Sequence, residues 1–149
     1  MTARVLVRPV GADERAAWEP LWRAYLAFYE TELLQAVIDT AWARLHDPDE
    51  PMFVLGAYVD GSLKGIVHYL YHRSTWTVGN YCYLQDLFVE KSARKLGLGR
   101  ALIGAVEAES RKAGASRIYW LTQEGNSSAR ALYDRLAERS GFIQYRKIF

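Results

Sequence analysis

The stretch that decides the fold is YLQDLFVEKSARKLGLGRALIGAVEAESRK, residues 83–112, in which a strand-like run, a glycine-containing loop and a helical run follow one another. The strand-like run ends near Val89, and the helical run begins near Gly97. The first N–H groups of a helix have no partner within the helix, and its dipole favours negative charge there. This order of elements therefore predicts a backbone site for an anion at the junction.

The loop at this junction has the composition that an anion site needs. Gly97 and Gly99 allow a ligand to approach the main chain closely where a Cβ atom would collide with it. Arg94, Lys95 and Arg100 can add charge-assisted hydrogen bonds. Glycines at a helix start also serve packing, so the pair alone does not decide. The loop lacks the Lys-Ser or Lys-Thr ending of a Walker loop and the third glycine of a dinucleotide fingerprint, which argues against ATP and NAD.

The other segments indicate a mixed α/β fold (α+β) in one domain, residues 1–149. The Asp60-Gly61 pair between two β-rich runs predicts a tight hairpin. The order β-α-α-β-β-β-α-β-α-β predicts a mixed central sheet, antiparallel at first and then extended by parallel crossovers. The predicted segments are a strand at 3–9, helices at 12–30 and 31–46, two strands within 52–72, a strand at 80–89, a helix at 97–113, a strand at 116–122, a helix at 129–140 and a strand at 141–149.

Composition excludes several classes of function. Nineteen Lys and Arg against seventeen Asp and Glu give a net charge of +2, too small to indicate a direct nucleic-acid partner. No apolar run approaches the roughly 18 residues that span a membrane, and the first residues lack the core of a signal peptide, so we expect a cytoplasmic protein. The lone Cys82 predicts a buried thiol. His68 and His72 lie about 13 Å apart on one strand, too far to share a metal, and we expect no metal site.

The loop and its flanks resemble the GNAT superfamily of N-acetyltransferases. Residues 94–99, RKLGLG, fit every position of the family's pyrophosphate loop, which reads Arg or Gln, two residues, Gly, one residue, then Gly or Ala. LQDLFVEKSA resembles the family's central strand, and NSSARALYDRLAERSGF, residues 126–142, resembles its second cofactor motif. Residues 72–146 look most similar to the small branch that includes histone and polyamine acetyltransferases.

This resemblance implies acetyl-CoA as the donor of an acetyl group. It places the pyrophosphate on the loop amides and the pantetheine arm along the end of the central strand. There, an N–H group near Val89 would meet the developing oxyanion. The residues that it implies for cofactor binding are Leu87, Phe88, Val89, Arg94, Lys95, Leu96, Gly97, Leu98, Gly99, Arg100, Asn126, Ala129 and Tyr133.

Two residues are candidates for catalysis. Asp86, the acid within the central strand, could bind a cationic substrate or relay a proton, or it could accept structural hydrogen bonds. Related polyamine enzymes carry a glutamate where this chain has Gln85, whose amide cannot act as a base. The base therefore stays open, with water chains past Tyr83, Asp86 or Glu124 as candidates. Tyr133 matches the family's helical tyrosine, which implies proton donation to the leaving thiolate.

Tyr133 also lies on an apolar helical stripe, so a core position is the competing interpretation. Eight positions separate it from Gly141, which predicts a helix lengthened by about one turn. Among the aromatic residues, Tyr29 and Trp76 are, with Asp86, the predicted substrate contacts.

The leading hypothesis is transfer of an acetyl group to a primary amine, a polyamine, a lysine side chain or a small amine, by direct attack in a ternary complex. The alternative is a regulatory module that binds acetyl-CoA without turnover. The apolar final strand also suggests a homodimer, because an exposed edge strand can pair with a second copy.

Overall fold

The computed structural model describes residues 2–149. Its first helix, Arg15–Phe28, runs through Pro20 without a break. None of its helices has the length and hydropathy that crossing a bilayer requires. The elements are β1 (Val5–Pro9), α1 (Arg15–Phe28), α2 (Gln35–Leu45), β2 (Met52–Val59), β3 (Ser62–His72), β4 (Tyr81–Val89), a 3-10 turn (Lys91–Ala93), α3 (Leu98–Lys112), β5 (Arg117–Tyr119) and α4 (Ser127–Leu136).

The strands form one mixed sheet in the order β1-β2-β3-β4-β5. The first four are antiparallel neighbours, and β5 pairs parallel to β4 after the crossover through α3. The hairpin at Asp60 and Gly61 is confirmed, with φ of 49° and 86°, the positive values of its turn. The predicted mixed α/β class is therefore confirmed.

The two faces of the sheet are covered by different helices. The face that we call the α3 face carries Val67, Tyr69, Cys82 and Leu84, which pack with buried residues of α3 such as Leu102. The opposite face, the α1 face, carries residues such as Val54 and Ile66, which pack with Trp18, Leu21 and Ile38 from α1 and α2. Alternation along each strand sends neighbouring residues to opposite cores.

A β-bulge in β4 breaks this alternation. His68 pairs with Asp86, but the next residue of β3, Tyr69, pairs with Leu84, so Gln85 has no partner in β3. If the strand alternated without interruption, Asp86, two residues after Leu84, would share the α3 face with it. The bulge instead places Asp86 opposite His68 on the α1 face.

The predicted final strand is wrong. Residues 141–149 form no strand, and their large side chains are exposed: Phe142, Ile143, Tyr145, Ile148 and Phe149. Strand β5 pairs over three residues, instead of the predicted seven at 116–122, and no described strand lies on its far side. A strand needs a paired neighbour to satisfy its backbone, and residues 141–149 pair with no strand of the described chain.

The predicted extension of the last helix is also wrong. Helix α4 ends at Leu136, and Ala137 is already extended, with φ −152° and ψ 174°. Residues 137–140 are all exposed. Because most helical stability in proteins comes from a packed face, four exposed residues gain little from a further turn.

Candidate active site

Strand β4 loses its neighbour halfway along. The parallel pairing with β5 stops at Tyr83 and Tyr119, whereas β4 continues to Val89. The edge of β4 that faced β5 is therefore unpaired from Leu84 onward. Its free backbone groups can bond to an extended ligand.

The turn before α3 is open to an anion. Lys95 and Gly97 have φ of 76° and 75°, so the chain bends sharply before the helix starts. No side chain caps α3, and its first turn contains no acidic residue. The first helical bond runs from the Ala101 N–H to the Gly97 carbonyl, which leaves the N–H groups before Ala101 free of helical partners. The observed turn thus fits the anion site that the sequence predicts.

The open turn, the strand end and α4 converge at Gly99. A Cβ atom added there would lie 3.6 Å from Leu132 Cδ2 of α4 and 4.0 Å from Leu87 Cδ2 of β4, both ordinary contacts. The packing of the protein alone therefore tolerates a side chain at Gly99. Around the turn, Arg94 and Arg100 are exposed, so both charges are available to a ligand.

A buried polar chain lies on the α1 face. The indole N–H of Trp18 donates to His68 Nε2 over 3.0 Å, and His68 Nδ1 lies 3.0 Å from Asp86 Oδ2. The side chains of His68 and Asp86 are only 8% and 12% exposed. An indole nitrogen is a donor only, so His68 Nε2 must accept and Nδ1 must carry the proton that it donates to Asp86.

Three tyrosines surround Asp86. Burial and then the charge of the nearby Asp86 raise the pKa of the Tyr25 phenol. Burial and then Asp86 likewise raise the pKa of Tyr29. Burial, then Tyr119 and Asp86, raise the pKa of Tyr83. We call Asp86, Tyr25, Tyr29 and Tyr83 the acidic-aromatic cluster, a set that suits a cation.

Tyr133 projects from α4 toward the same region. Its ring packs edge-on against Trp120, with centroids 5.5 Å apart. Burial and then the nearby Tyr29 raise the pKa of its phenol, which therefore keeps its proton at neutral pH. Asn126 begins α4 without capping it through its side chain, and Ala129 is half-buried in the first turns.

A groove lies beside the acidic-aromatic cluster along the chain, between the end of α1 and the start of α2. Its volume is about 730 Å³. Its lining residues lie on both sides of Tyr29 in sequence and do not include the turn at residues 94–100. The lining residues are Arg23, Leu26, Ala27, Glu30, Thr31, Glu32, Leu33 and Ile38.

The structure brings most of the predicted site residues together. Asp86, Tyr29 and Tyr133 approach one another, and the strand end and the loop converge on Gly99. Leu98 is buried, so only its backbone faces the turn. Trp76 is different. It is 72% exposed in the loop between β3 and β4, and no contact with the cluster is found among the described residues.

Sequence reasoning missed His68 and Trp18 as members of the site. His68 is buried and hydrogen-bonded to Asp86. The signal that could have found it is the cross-strand register, which the bulge at Gln85 hides. Residues 2–149 contain no group of three or more potential metal ligands.

Comparison with known proteins identifies the family. Residues 15–137 match the acetyltransferase (GNAT) family. The chain belongs to the GNAT family. It is 32% identical, over 97% of its length and 91% of the relative's, to the D-amino-acid N-acetyltransferase HPA3 of Saccharomyces cerevisiae. It is 30% identical, over 81% of its length and 78% of the relative's, to the thialysine N-epsilon-acetyltransferase of Caenorhabditis elegans.

Solved structures show the same fold as this GNAT chain. The ribosomal-protein-alanine N-acetyltransferase of Brucella melitensis biovar Abortus 2308 superimposes with a TM-score of 0.82 at 20% identity, over 98% of this chain and all of the other. The aminoglycoside N-acetyltransferase AAC(6')-Iy, solved in complex with CoA, gives 0.82 at 18% identity, over 99% and 97%. Family and relatives together identify the protein as an acetyl-CoA-dependent acyltransferase.

Proposed function

We propose that this GNAT protein acetylates a primary amine that carries positive charge, by direct attack of the amine on acetyl-CoA in a ternary complex. One observation carries the proposal. The start of α3 has no cap and the edge of β4 is unpaired, and these two features suit the two ends of an extended anionic donor. The same strand carries the buried carboxylate of Asp86, which has tyrosines near it.

The donor would be held mainly by backbone. The free amides at the start of α3 suit its pyrophosphate, and the unpaired edge of β4 suits its amide-containing arm. The bound donor supplies the reactive thioester. The residues proposed for this role are Leu87, Phe88, Val89, Arg94, Lys95, Leu96, Gly97, Leu98, Gly99, Arg100, Asn126, Ala129 and Tyr133.

The acceptor would be held by the acidic-aromatic cluster. The carboxylate of Asp86 attracts an ammonium group, and the rings of Tyr25, Tyr29 and Tyr83 can contact it through their faces. An amine attacks only after it has lost a proton. We propose that this proton leaves through water past Tyr83 and Asp86, because Gln85 has no basic group and Glu124 is exposed before α4.

Tyr133 would protonate the leaving thiolate. Its raised pKa keeps the phenol protonated until that step. We expect Tyr133→Phe to lower kcat by about 100-fold or more, because general acid catalysis is typically worth that much. Thiol release with an accepted amine measures it. An unchanged kcat from pH 6 to 9 would contradict the role.

The acceptor class is tested with a panel of amines scored for free thiol. The panel includes D-amino acids and thialysine because of the names of the relatives. Polyamines, lysine peptides and small amines without a second charge complete the panel. We expect amines with an additional positive charge to have the lowest KM. If acetyl-CoA binds in calorimetry and no amine releases thiol, the protein is a non-catalytic acetyl-CoA-binding module instead.

Asp86→Asn tests the cation site directly. We expect KM for a dicationic amine to rise about 10- to 100-fold, because hydrogen bonds to charged groups are worth about 1.5–3 kcal/mol. KM for acetyl-CoA should not change, which makes it the internal control. Equal KM values for the dicationic amine in variant and wild type would remove Asp86 from acceptor binding.

We propose a homodimer as the working assembly. Residues 137–149, the C-terminal arm, expose Phe142, Ile143 and Tyr145, and the far edge of β5 has no partner strand within residues 2–149. A second copy could cover both. Light scattering of the chain should give twice the mass of a version ending at Ser140, and a monomer mass for both would end the proposal.

A single domain over residues 1–149, a cytoplasmic location and the absence of metal and nucleic acid from the reaction stay predictions. The buried thiol of Cys82, whose pKa burial raises to about 11, is compatible with a reducing compartment. Trp76 stays a predicted substrate contact that no observed contact supports.

A further inference from the structure

Two tryptophans pack against His68, and one of them donates a hydrogen bond to it. Trp18 and Trp22, one turn apart on α1, both pack against its ring, with centroid distances of 5.9 and 4.8 Å. Trp18 donates its N–H to His68 Nε2, whereas the buried N–H of Trp22 has no partner among the described residues. The two indoles therefore share burial and aromatic contact, and only Trp18 controls the state of the ring nitrogen.

The Trp18 hydrogen bond opposes protonation of His68. A proton on Nε2 would face the indole N–H, so two donors would meet at 3.0 Å in a buried place. Neutral His68 can still donate from Nδ1 to Asp86. Asp86 is thus hydrogen-bonded and oriented without being paired to a cation.

This distinction matters for a cationic acceptor. A protonated His68 would form an ion pair with Asp86 and neutralise the charge that attracts an ammonium group. A neutral His68 leaves that charge available. The other titratable groups that face the pair are the phenols of Tyr25 from α1, Tyr29 directly after α1 and Tyr83 from β4, all with raised pKa. The β2 residue opposite His68 is the apolar Val54.

We propose that Trp18 and His68 are positioning residues for the acceptor: Trp18 holds His68 as the neutral Nδ1–H tautomer, so that Asp86 is fixed in place and keeps its full negative charge for a cationic amine. The inference rests on the proposed function, since it concerns the acceptor side of that site. It adds a specificity device that acts through Asp86.

The test compares Trp18→Phe with the matched control Trp22→Phe. Each loses an indole from the same helix and the same His68 ring, but only Trp18→Phe frees Nε2. The quantity compared is the ratio of KM in the variant to KM in wild type, measured for a dicationic amine at the same pH. For Trp18→Phe we expect this ratio to be near 1 at pH 8.5 and to rise at least about tenfold by pH 6, as the freed histidine gains its proton. The ratio for Trp22→Phe should stay constant with pH.

A rescue variant separates this effect from a packing defect. In Trp18→Phe/His68→Asn, the side chain at position 68 cannot ionise, so the rise in relative KM between pH 8.5 and 6 should disappear even if overall activity is lower. Relative KM values with equal pH dependence in Trp18→Phe and Trp22→Phe would overturn the proposal. So would a rise that persists in the double variant.

A second measurement does not need turnover. Nitrogen NMR of the histidine rings in the wild-type protein should show His68 with a protonated Nδ1 and an unprotonated Nε2 from pH 8.5 to 6, whereas Trp18→Phe should show both nitrogens protonated at the lower pH. A doubly protonated wild-type ring at pH 6 would overturn the inference. If the NMR result holds but no amine is acetylated, the proposed function has failed and the state of His68 has not.

Discussion

The two faces of the sheet use the same strands for different purposes. On the α3 face, Val67, Cys82 and Leu84 meet an apolar helix and form a continuous buried core. On the α1 face, the neighbouring residues include His68 and Asp86, and His68 is hydrogen-bonded to both Trp18 and Asp86. The difference teaches that one side of a strand can supply stability while the other holds a charge in place.

The bulge at Gln85 is what keeps the two faces distinct. A strand that alternates without interruption would send Asp86 into the α3 core, where burying a charge without partners is costly. One additional residue moves it to the face that carries His68. Bulges near active sites commonly redirect a side chain in this way.

The largest expected effect comes from breaking the α3 face. Leu102 is fully buried there, and Leu102→Ala should lower the free energy of unfolding by about 2–5 kcal/mol, because it leaves a cavity between α3 and the sheet. Urea unfolding measures the loss. The folded fraction should keep its KM for amines, since the acceptor residues lie on the other face. Exposed Leu121→Ala is the control and should stay within about 0.5 kcal/mol.

A smaller effect is expected in acid, from a second polar cluster on the α1 side. Glu14 accepts hydrogen bonds from Arg8, the Gly11 N–H and Tyr58. These bonds lower its pKa to about 2, and the largest contribution comes from Arg8. This lowered pKa stabilises the fold above about pH 4.5, and the contribution is lost as pH falls toward 2. After allowance for solvent screening, it is worth about 1–2 kcal/mol.

The matched variants for that cluster are Glu14→Gln and Glu107→Gln. The first should lower stability at pH 7 and flatten its decline between pH 4.5 and 2, as followed by urea unfolding at each pH. The second removes an exposed carboxylate 3.7 Å from Arg111 on α3 and should change neither value. Parallel acid curves for Glu14→Gln and wild type would show that Glu14 does not carry the acid sensitivity.

Much of this architecture could be predicted from the sequence, and the exceptions have physical causes. Helical periodicity, the Asp60-Gly61 turn and the loop at 94–99 act locally, so their elements lie close to where the sequence indicates, except that α4 ends at Leu136. The bulge at Gln85 depends on which residue of β3 each residue of β4 meets, and no local pattern records that. The bonds of His68 follow from the same register. The prediction of a final strand was wrong because an apolar pattern does not determine whether a segment pairs with a neighbouring strand, and residues 141–149 pair with none of the described strands.

A smaller mutational effect is expected when one tyrosine on each face of the sheet is replaced by phenylalanine. Burial and then the charge of Asp86 raise the pKa of Tyr25 on the α1 side, whereas burial and then Tyr71 raise the pKa of Tyr69 on the α3 face, without a contribution from Asp86. We expect Tyr25→Phe to cost about 1 kcal/mol of unfolding free energy and to raise KM for a dicationic amine a few-fold. Tyr69→Phe should change both by less than half as much. Equal effects of the two variants would mean that the faces do not differ in polar satisfaction.

The last prediction probes the α3 face by chemical modification of Cys82, without a mutation. Cys82 has no exposed surface, and burial raises the pKa of its thiol to about 11. Thiolate is the reactive form, so at pH 8 a disulfide reagent should modify the folded protein at less than about one-hundredth of its rate with the urea-unfolded chain. A bound amine should not change the slow rate, because the acidic-aromatic cluster lies on the α1 face. Rapid modification of the folded protein, with its circular dichroism intact, would show that the α3 face opens readily and is not the stable half of the sheet.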